Sequence, residues 1–519
     1  MLLQNFLEST AELFPAKTAI ICGKMRLTYQ EMEYQANALA NALIEQGLKR
    51  HDRVAILLEN SIEVVVSLFA ILKIGAVFSV LDHQIKSRKL KFILNDCQSR
   101  AIITDFTRFQ TLVPVLGECS DLHLIVLTDI NDAPTPVDDR KIMSYPQALA
   151  RYPRSKPGAG TIDVDLASLI YTSGSTGEPK GVMLTHLNMV TAATSIVEYL
   201  ENSPGDIILD ALPLSFDYGL YQVLMAVKFG GTVILEKSFA FPYRIIDSII
   251  NNHVTGFPVV PTMVAILLRL KNLDGLNLDS LRYISSTGQA LPLPHINRLR
   301  SIFPKVKIFS MYGLTECKRV SYLPPCELDR RPSSVGIAIP NTEVYLIDAQ
   351  GNRISEPNVV GELVVRGSTV MRGYWNRPVE NARALHPGFF PGEQVLHTGD
   401  LFKQDKDGFL YFIARRDEMF KSGGELVSPK EIEEVLCSCP GITEAAVIAV
   451  EDQILGNSIK AYVVVDEHYR TQITNNMIIE HCATRLKGSM VPKVVEFRAD
   501  LPKDNNGKVQ KSLLAKRNF

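Results

Sequence analysis

The chain has 519 residues, a formal net charge of −1, and 46% hydrophobic against 21% charged residues. That length exceeds what one ordinary hydrophobic core supports, so two or more domains are expected. A net charge this close to zero supplies no basic field for nucleic acid or for an anionic membrane surface.

Eight cysteines are scattered along the chain, and the closest pair, Cys437 and Cys439, lacks the spacing of a zinc site. They read as reduced thiols, and a cytoplasmic protein is expected. The N-terminus has no basic segment followed by an apolar core, so no signal peptide is expected. The most lipid-like run, Val64–Leu72, is far too short to span a bilayer and reads as a buried helix.

In chain order, residues 26–47 predict an amphipathic helix. Thr28 and Glu31 make a capping box, Met32, Ala36, Leu39, Ala40 and Leu43 recur at helical spacing, and Gly47 stops the pattern. Strands are expected at Arg53–Leu58, Ala76–Leu81, Ala101–Thr104 and His123–Leu127, with a helix over Ser61–Lys73. Residues 129–163, rich in Pro, Asp, Arg and Gly, read as an irregular connection. Ala167–Tyr171 is a short apolar strand, and a helix covers Leu187–Leu200. The alternation continues with strands at Ile207–Leu212, Thr232–Leu235, Gly256–Val260, Leu281–Ser285 and Lys307–Ser310, and with helices at Gly219–Lys228 and Tyr243–Asn251. Alternation of this kind predicts α/β layers with a largely parallel sheet. Beyond residue 335, Glu343–Ile347, Gly361–Arg366 and Phe409–Ala414 suggest an antiparallel subdomain. From about 417 a small α+β unit follows, with a helix from Pro429 to Leu436, strands at Ala445–Val450 and Lys460–Val465, and a helix from Asn475 to about Leu486.

Five segments carry chemistry. Tyr171–Gly181 is a run of Gly and hydroxyl residues closed by Lys180. Gly174 and Gly177 permit tight turns, Thr172, Ser173, Ser175 and Thr176 add hydroxyls, and successive backbone N–H groups form an anion-binding concavity. The loop suits a polyphosphate, although it is not a Walker A motif. Met311–Glu316 follows a strand end, where α/β folds place ligand loops. Thr398–Asp400 supplies a carboxylate able to grip a diol. Arg415, Arg416 and Asp417, followed by Lys421–Glu425, place charges and paired glycines at a composition boundary, as in a hinge. Leu501–Lys508 ends in a Gly-Lys pair.

In this order and spacing, the five segments resemble the signatures of the adenylate-forming superfamily, which includes acyl-CoA synthetases, luciferases and amino-acid adenylation domains. The resemblance covers essentially the whole chain. It implies a large N-terminal domain (1–416) of layered α/β subdomains plus a β-rich subdomain, and a small mobile α+β C-terminal domain (417–519). It also implies ATP and Mg²⁺. A carboxylate would first be converted to an acyl-adenylate with release of pyrophosphate, and a thiol would then form a thioester with release of AMP. Tyr312 would stack on adenine, Thr315 would bond the α-phosphate, and Glu316 would help hold Mg²⁺. Asp400 would bind the ribose, Arg415 would contact the nucleotide, and Gly288 and Gly313 complete the nucleotide-site candidates. Asp417 would be the pivot of a domain rotation, although Ala414 replaces the glycine usual in that motif. Lys508 would bridge the attacking carboxylate and the α-phosphate, both anions, and stabilise the transition state.

The acid is less constrained. Phe216-Asp217 resembles amino-acid adenylation domains, whose aspartate binds the α-ammonium group; many acyl-CoA synthetases carry a histidine where Phe216 stands. The alternative is that Asp217 pairs internally, with Lys318 or Arg319. Tyr218, Tyr221, Pro258, Ser285, Thr287, Met311 and Arg319 are further candidates to line the pocket, and their bulk favours a small acid. The leading expectation is an amino acid transferred to the phosphopantetheine of a separate carrier protein. The alternative is an acyl-CoA synthetase acting on a non-amino acid, with coenzyme A as acceptor. With eleven residues after Lys508, the enzyme is expected to be free-standing. No nucleic-acid or membrane partner is expected. A luciferase-like oxygenase has no specific support, and a non-catalytic relative should have lost Lys508 or Glu316.

Overall fold

The capping box at Thr28 forms as the sequence requires. Glu31 N donates to Thr28 Oγ1 at 3.2 Å, Thr28 N donates to Glu31 Oε2 at 2.8 Å, and the helix runs Tyr29–Glu45. Its apolar face packs on Ile62–Lys73, a helix buried along nearly its whole length. Burial extends to Lys73, whose charge is met by Glu33 at 2.8 Å and Glu8 at 3.1 Å. The computed structural model of the chain describes all residues except 132–136, 138, 159, 174–177, 271–272, 274–275, 277, 289–290, 417, 423–424, 453–455, 471, 504–507 and 516–519.

Among the described residues, two large mixed sheets carry the first part of the chain. In the eight-stranded sheet, Val77–Val80, Arg53–Leu57, Ser99–Thr104, Leu124–Leu127 and Lys141–Ser144 run parallel. In the nine-stranded sheet, Lys307–Tyr312, Tyr283–Ser286, Gly256–Val259, Ile207–Asp210, Thr232–Leu235 and Thr18–Cys22 run parallel. Helices between the strands join both sheets into one apolar core. A parallel sheet places its ligand loops at the carboxyl ends of its strands. Thr342–Ile347, Val360–Gly367, Gln394–Gln404 and Leu410–Arg415 form the expected antiparallel layer.

Residues from Val427 to Leu514 hold cores of their own. Ile442–Asp452 pairs antiparallel with Gly456–Val465, which pairs parallel with Val494–Arg498. Helices Pro429–Cys437 and Asn475–Ala483 cover one face of this sheet, and Leu501 and Leu514 pack on the other. Among the described residues no helix is long and apolar enough to cross a membrane, and all eight cysteines are free thiols.

Two expectations need correction. Residues 129–163 are not irregular throughout, because Lys141–Ser144 is an edge strand and Tyr145–Arg151 a helix capped by Ser144. Their apolar patterns are too short to register as a period. Lys180 is not in a loop. It lies on Pro179–Thr185, the second strand of a hairpin with Leu166–Ser173, in register with Thr172. Thr398–Asp400 lies in the middle of the strand Gln394–Gln404, where Gly399 adopts φ +71°.

Candidate active site

The strand Lys307–Tyr312 delivers Tyr312 to the antiparallel layer, where its ring meets Phe402 edge-on at 4.9 Å. The Tyr312 hydroxyl donates to Asp400 Oδ2 at 2.5 Å. Asp400 is almost wholly buried, and that burial pushes its carboxyl up from 3.8 to about 6, against the pull of Arg415, the Tyr312 hydrogen bond and Lys508. Its other oxygen, Oδ1, faces Arg415 Nε at 3.4 Å and accepts no hydrogen bond. A buried carboxylate oxygen left open in this way fits a ligand hydroxyl.

Lys508, from the far end of the chain, is exposed yet near enough to Asp400 to act on its charge. The C-terminal unit is therefore turned with this lysine toward the nucleotide-side residues. Ser428 Oγ donates to Ile413 O at 2.9 Å, and Lys430 Nζ stands 4.2 Å from the centre of the Phe412 ring. Both contacts tie that unit to the strand bearing Arg415.

Glu316 follows Tyr312 by one turn of loop. Its Oε1 accepts from the Tyr374 hydroxyl at 2.8 Å, and its carbonyl accepts from Met371 N at 2.7 Å. Lys180 Nζ lies 5.7 Å from the centre of the Tyr374 ring and 3.9 Å from Glu380. Tyr374 thus links the lysine of the phosphate hairpin to the acidic residue. Tyr374 is not among the site candidates read from the sequence. Asp96 was missed as well. It accepts from the Tyr171 hydroxyl at 2.7 Å, pairs with Arg377 at 2.9 Å and accepts from Trp375 Nε1 at its carbonyl. It anchors the base of the hairpin, and nothing in its local sequence marks it.

On the acid side, Asp217 begins helix Asp217–Phe229, behind Phe216. It is buried, and Lys318 Nζ contacts both its Oδ2 at 3.2 Å and its carbonyl at 2.7 Å. Of the two readings of Asp217, the internal pair is the one formed, and with Lys318 rather than Arg319. Lys318 adopts φ +61°, which turns its side chain inward, and Nζ lies 4.1 Å from the Tyr221 ring centre. Burial pulls the Lys318 ammonium down to about 7, with Asp217 opposing. Asp210, unremarked in the sequence, ends its strand fully buried, with Oδ2 unpartnered and its carboxyl pushed well up by burial.

Ser285 is engaged by the Tyr218 hydroxyl at 2.7 Å, Thr287 Oγ1 donates to Met311 O at 3.2 Å, and Tyr199 donates to Met311 Sδ at 3.1 Å. The Tyr221 hydroxyl has no partner. Pro258 lies on Gly256–Val259, beside Ser285 in register. Gly288 adopts φ +91°, and a Cβ there would only touch Val260 Cγ1 at 3.9 Å. Thr315 is partly buried between Tyr312 and Glu316. Thr172 and Ser173 end their strand next to Lys180 and Pro179. Gly174, Ser175, Thr176, Gly177 and the hinge candidate Asp417 lie outside the described residues.

This two-part fold, with the Leu166–Ser173/Pro179–Thr185 hairpin, the Tyr312–Asp400 pair and Lys508 on a C-terminal unit with its own cores, is that of an adenylate-forming enzyme. The family model of the AMP-binding enzymes matches residues 7–375, and that of the AMP-binding enzyme C-terminal domain matches residues 431–508. The chain belongs to this family and is an AMP-forming acid–thiol ligase that uses ATP and Mg²⁺. It is 30% identical to the long-chain-fatty-acid–CoA ligase of Escherichia coli O157:H7, over 98% of this chain and 93% of that protein. It is also 30% identical to tyrocidine synthase 1 of Brevibacillus parabrevis over 99% of this chain, but it spans only 44% of that protein's length. Among solved structures, the anthranilate CoA ligase AuaEII in complex with anthranoyl-AMP has a TM-score of 0.89 at 26% identity, covering 99% of this chain and 97% of that one.

Proposed function

We propose that the enzyme activates a small carboxylic acid without an α-amino group and transfers it to the thiol of coenzyme A. The observation that carries this reading is the buried Asp217–Lys318 pair. An α-ammonium group needs an open carboxylate, and displacing Lys318 would strand one buried cation to seat another. The likeness to CoA ligases over nearly their full length supports the same acceptor. The amino-acid and carrier-protein reading is the weaker of the two.

In the first half-reaction a carboxylate oxygen attacks the α-phosphorus of ATP, the bond to the bridging oxygen breaks, and pyrophosphate leaves. In the second, the thiol sulfur attacks the acyl carbon, the bond to AMP breaks, and the thiol proton passes to solvent. Asp400 Oδ1 is the open acceptor for a ribose hydroxyl, and Tyr312 and Gly313 would bound the adenine. Thr172, Ser173, residues 174–177 and Lys180 would take the β- and γ-phosphates, with Arg415 and Gly288 at the nucleotide's edge. Thr315 would bond the α-phosphate. Glu316 would hold Mg²⁺ together with phosphate oxygens, a hard-cation donor set. Lys508 would stand between the two anions that must meet. Residues 1–416 would form the body and 417–519 the moving unit, pivoting at Asp417.

The test is ATP–pyrophosphate exchange over amino acids, their deaminated counterparts, aryl acids and short fatty acids, followed by thioester formation with coenzyme A or a phosphopantetheinylated carrier. Exchange confined to amino acids and lost in Asp217→Ala would overturn the reading.

A further inference from the structure

Arg319 is 2% exposed, the largest of the fully buried side chains. A guanidinium cannot shed its charge, so burial has to be answered by a partner. None is in place. Among the described residues no carboxylate lies within ion-pair distance, and Nε and Nη1 have no hydrogen-bond partner. None of its neighbours is an anion: the Tyr218 ring has its centre 5.2 Å from the guanidinium carbon, the Tyr199 phenol is close by, and Lys318 is a second cation whose ammonium Arg319 helps to depress. Asp217 is committed to Lys318.

The position of this cation is informative. Tyr218 reaches from helix Asp217–Phe229 to Ser285, and Tyr199 reaches to Met311, so Arg319 sits among the ends of Tyr283–Ser286 and Lys307–Tyr312. Its backbone lies against Gly313, where a Cβ would come within 3.1 Å of the Arg319 Cα. The unanswered charge therefore lies directly behind Gly313, next to Tyr312 at the end of its strand.

We propose that the acid activated here carries a second anionic group, a carboxylate, which docks on Arg319 while the first is activated. This rests on the ligase reading above and names its substrate class. A guanidinium fork matches a carboxylate with two parallel hydrogen bonds, and pairing would engage Nη2 together with one of the two nitrogens now left open.

The experiment compares chain-matched acids on the full-length enzyme with ATP, Mg²⁺ and coenzyme A: succinate against butyrate, glutarate against valerate, phthalate against benzoate. AMP release gives kcat and KM separately. The diacid is expected to win by about 10²-fold or more in kcat/KM, mostly through KM. Arg319→Met should reverse the preference and Arg319→Lys should retain part of it. Arg319→Met should also raise the melting temperature of the ligand-free enzyme, because it removes an uncompensated charge; a purely structural stacking role on Tyr218 predicts a fall. A wild-type preference for monoacids overturns the proposal and leaves the ligase reading intact. A preference for amino acids that depends on Asp217 overturns the ligase reading instead. If no acid in the panel turns over, dicarboxylate binding by calorimetry decides: tighter binding to wild type than to Arg319→Met supports the proposal, and equal binding refutes it.

Discussion

Lys318 Nζ and Asp217 Oδ2 stand 3.2 Å apart in a site where both side chains are buried, and the same ammonium lies 4.1 Å from the Tyr221 ring centre. The pair closes the acid side of the site with charges that answer each other. Removing one partner leaves the other buried and uncompensated. Asp217→Asn is expected to destabilise the protein by about 3 kcal/mol, read by urea unfolding. The double variant Asp217→Asn/Lys318→Met should recover most of that loss. A double variant as unstable as the sum of the singles would show that the two residues act independently.

Asp400 makes stability depend on pH. Its carboxyl is raised from 3.8 to about 6 in the folded protein. A raised carboxyl contributes stability that is fully present below the unfolded value and lost as pH rises through the folded one. The wild type should therefore lose ground to Asp400→Asn between pH 4 and pH 6.5, by about 3 kcal/mol. Unfolding curves of the two proteins across this range check the sign. Parallel curves would mean that Asp400 is not raised.

Lys508 should divide the two half-reactions. Lys508→Ala is expected to slow adenylate formation by a factor of about 10²–10³ while leaving thioester formation from preformed acyl-adenylate near wild type. Pyrophosphate exchange measures the first step, and thioester release from supplied adenylate measures the second. Equal loss in both would remove the lysine from its bridging role.

Gly313 has no room for a side chain. A Cβ there would drive into the Lys318 carbonyl and crowd the Arg319 Cα. Both are backbone atoms that cannot swing away. Gly313→Ala should cost about 2 kcal/mol and should raise the KM for ATP and for the acid together, because the displaced loop carries Lys318 and Arg319 behind Tyr312. A change in only one KM would show that the loop does not couple the two sites.

The sequence by itself determined the local elements whose chemistry is local. The Thr28–Glu31 box set the start of one helix, the apolar run over Ile62–Lys73 set a buried one, and strand–helix alternation set α/β layers with parallel pairing, but not their division into two mixed sheets. Motif order identified the enzyme class, because Tyr171–Gly181, Met311–Glu316 and Lys508 each keep their residue types in sequence. Short pieces without a full period escaped it, among them Lys141–Ser144, Tyr145–Arg151 and the return strand Pro179–Thr185. Only the tertiary structure decided the partners. Asp217 precedes Lys318 by about a hundred residues, and their spacing says nothing about whether the carboxylate meets that lysine, Arg319 or a substrate amine. The left-handed turn at Lys318 settles it by sending one cation to Asp217 and leaving the next, Arg319, buried without a counter-charge. Electrostatic partners are chosen by distance and burial, and both exist only once the chain is folded.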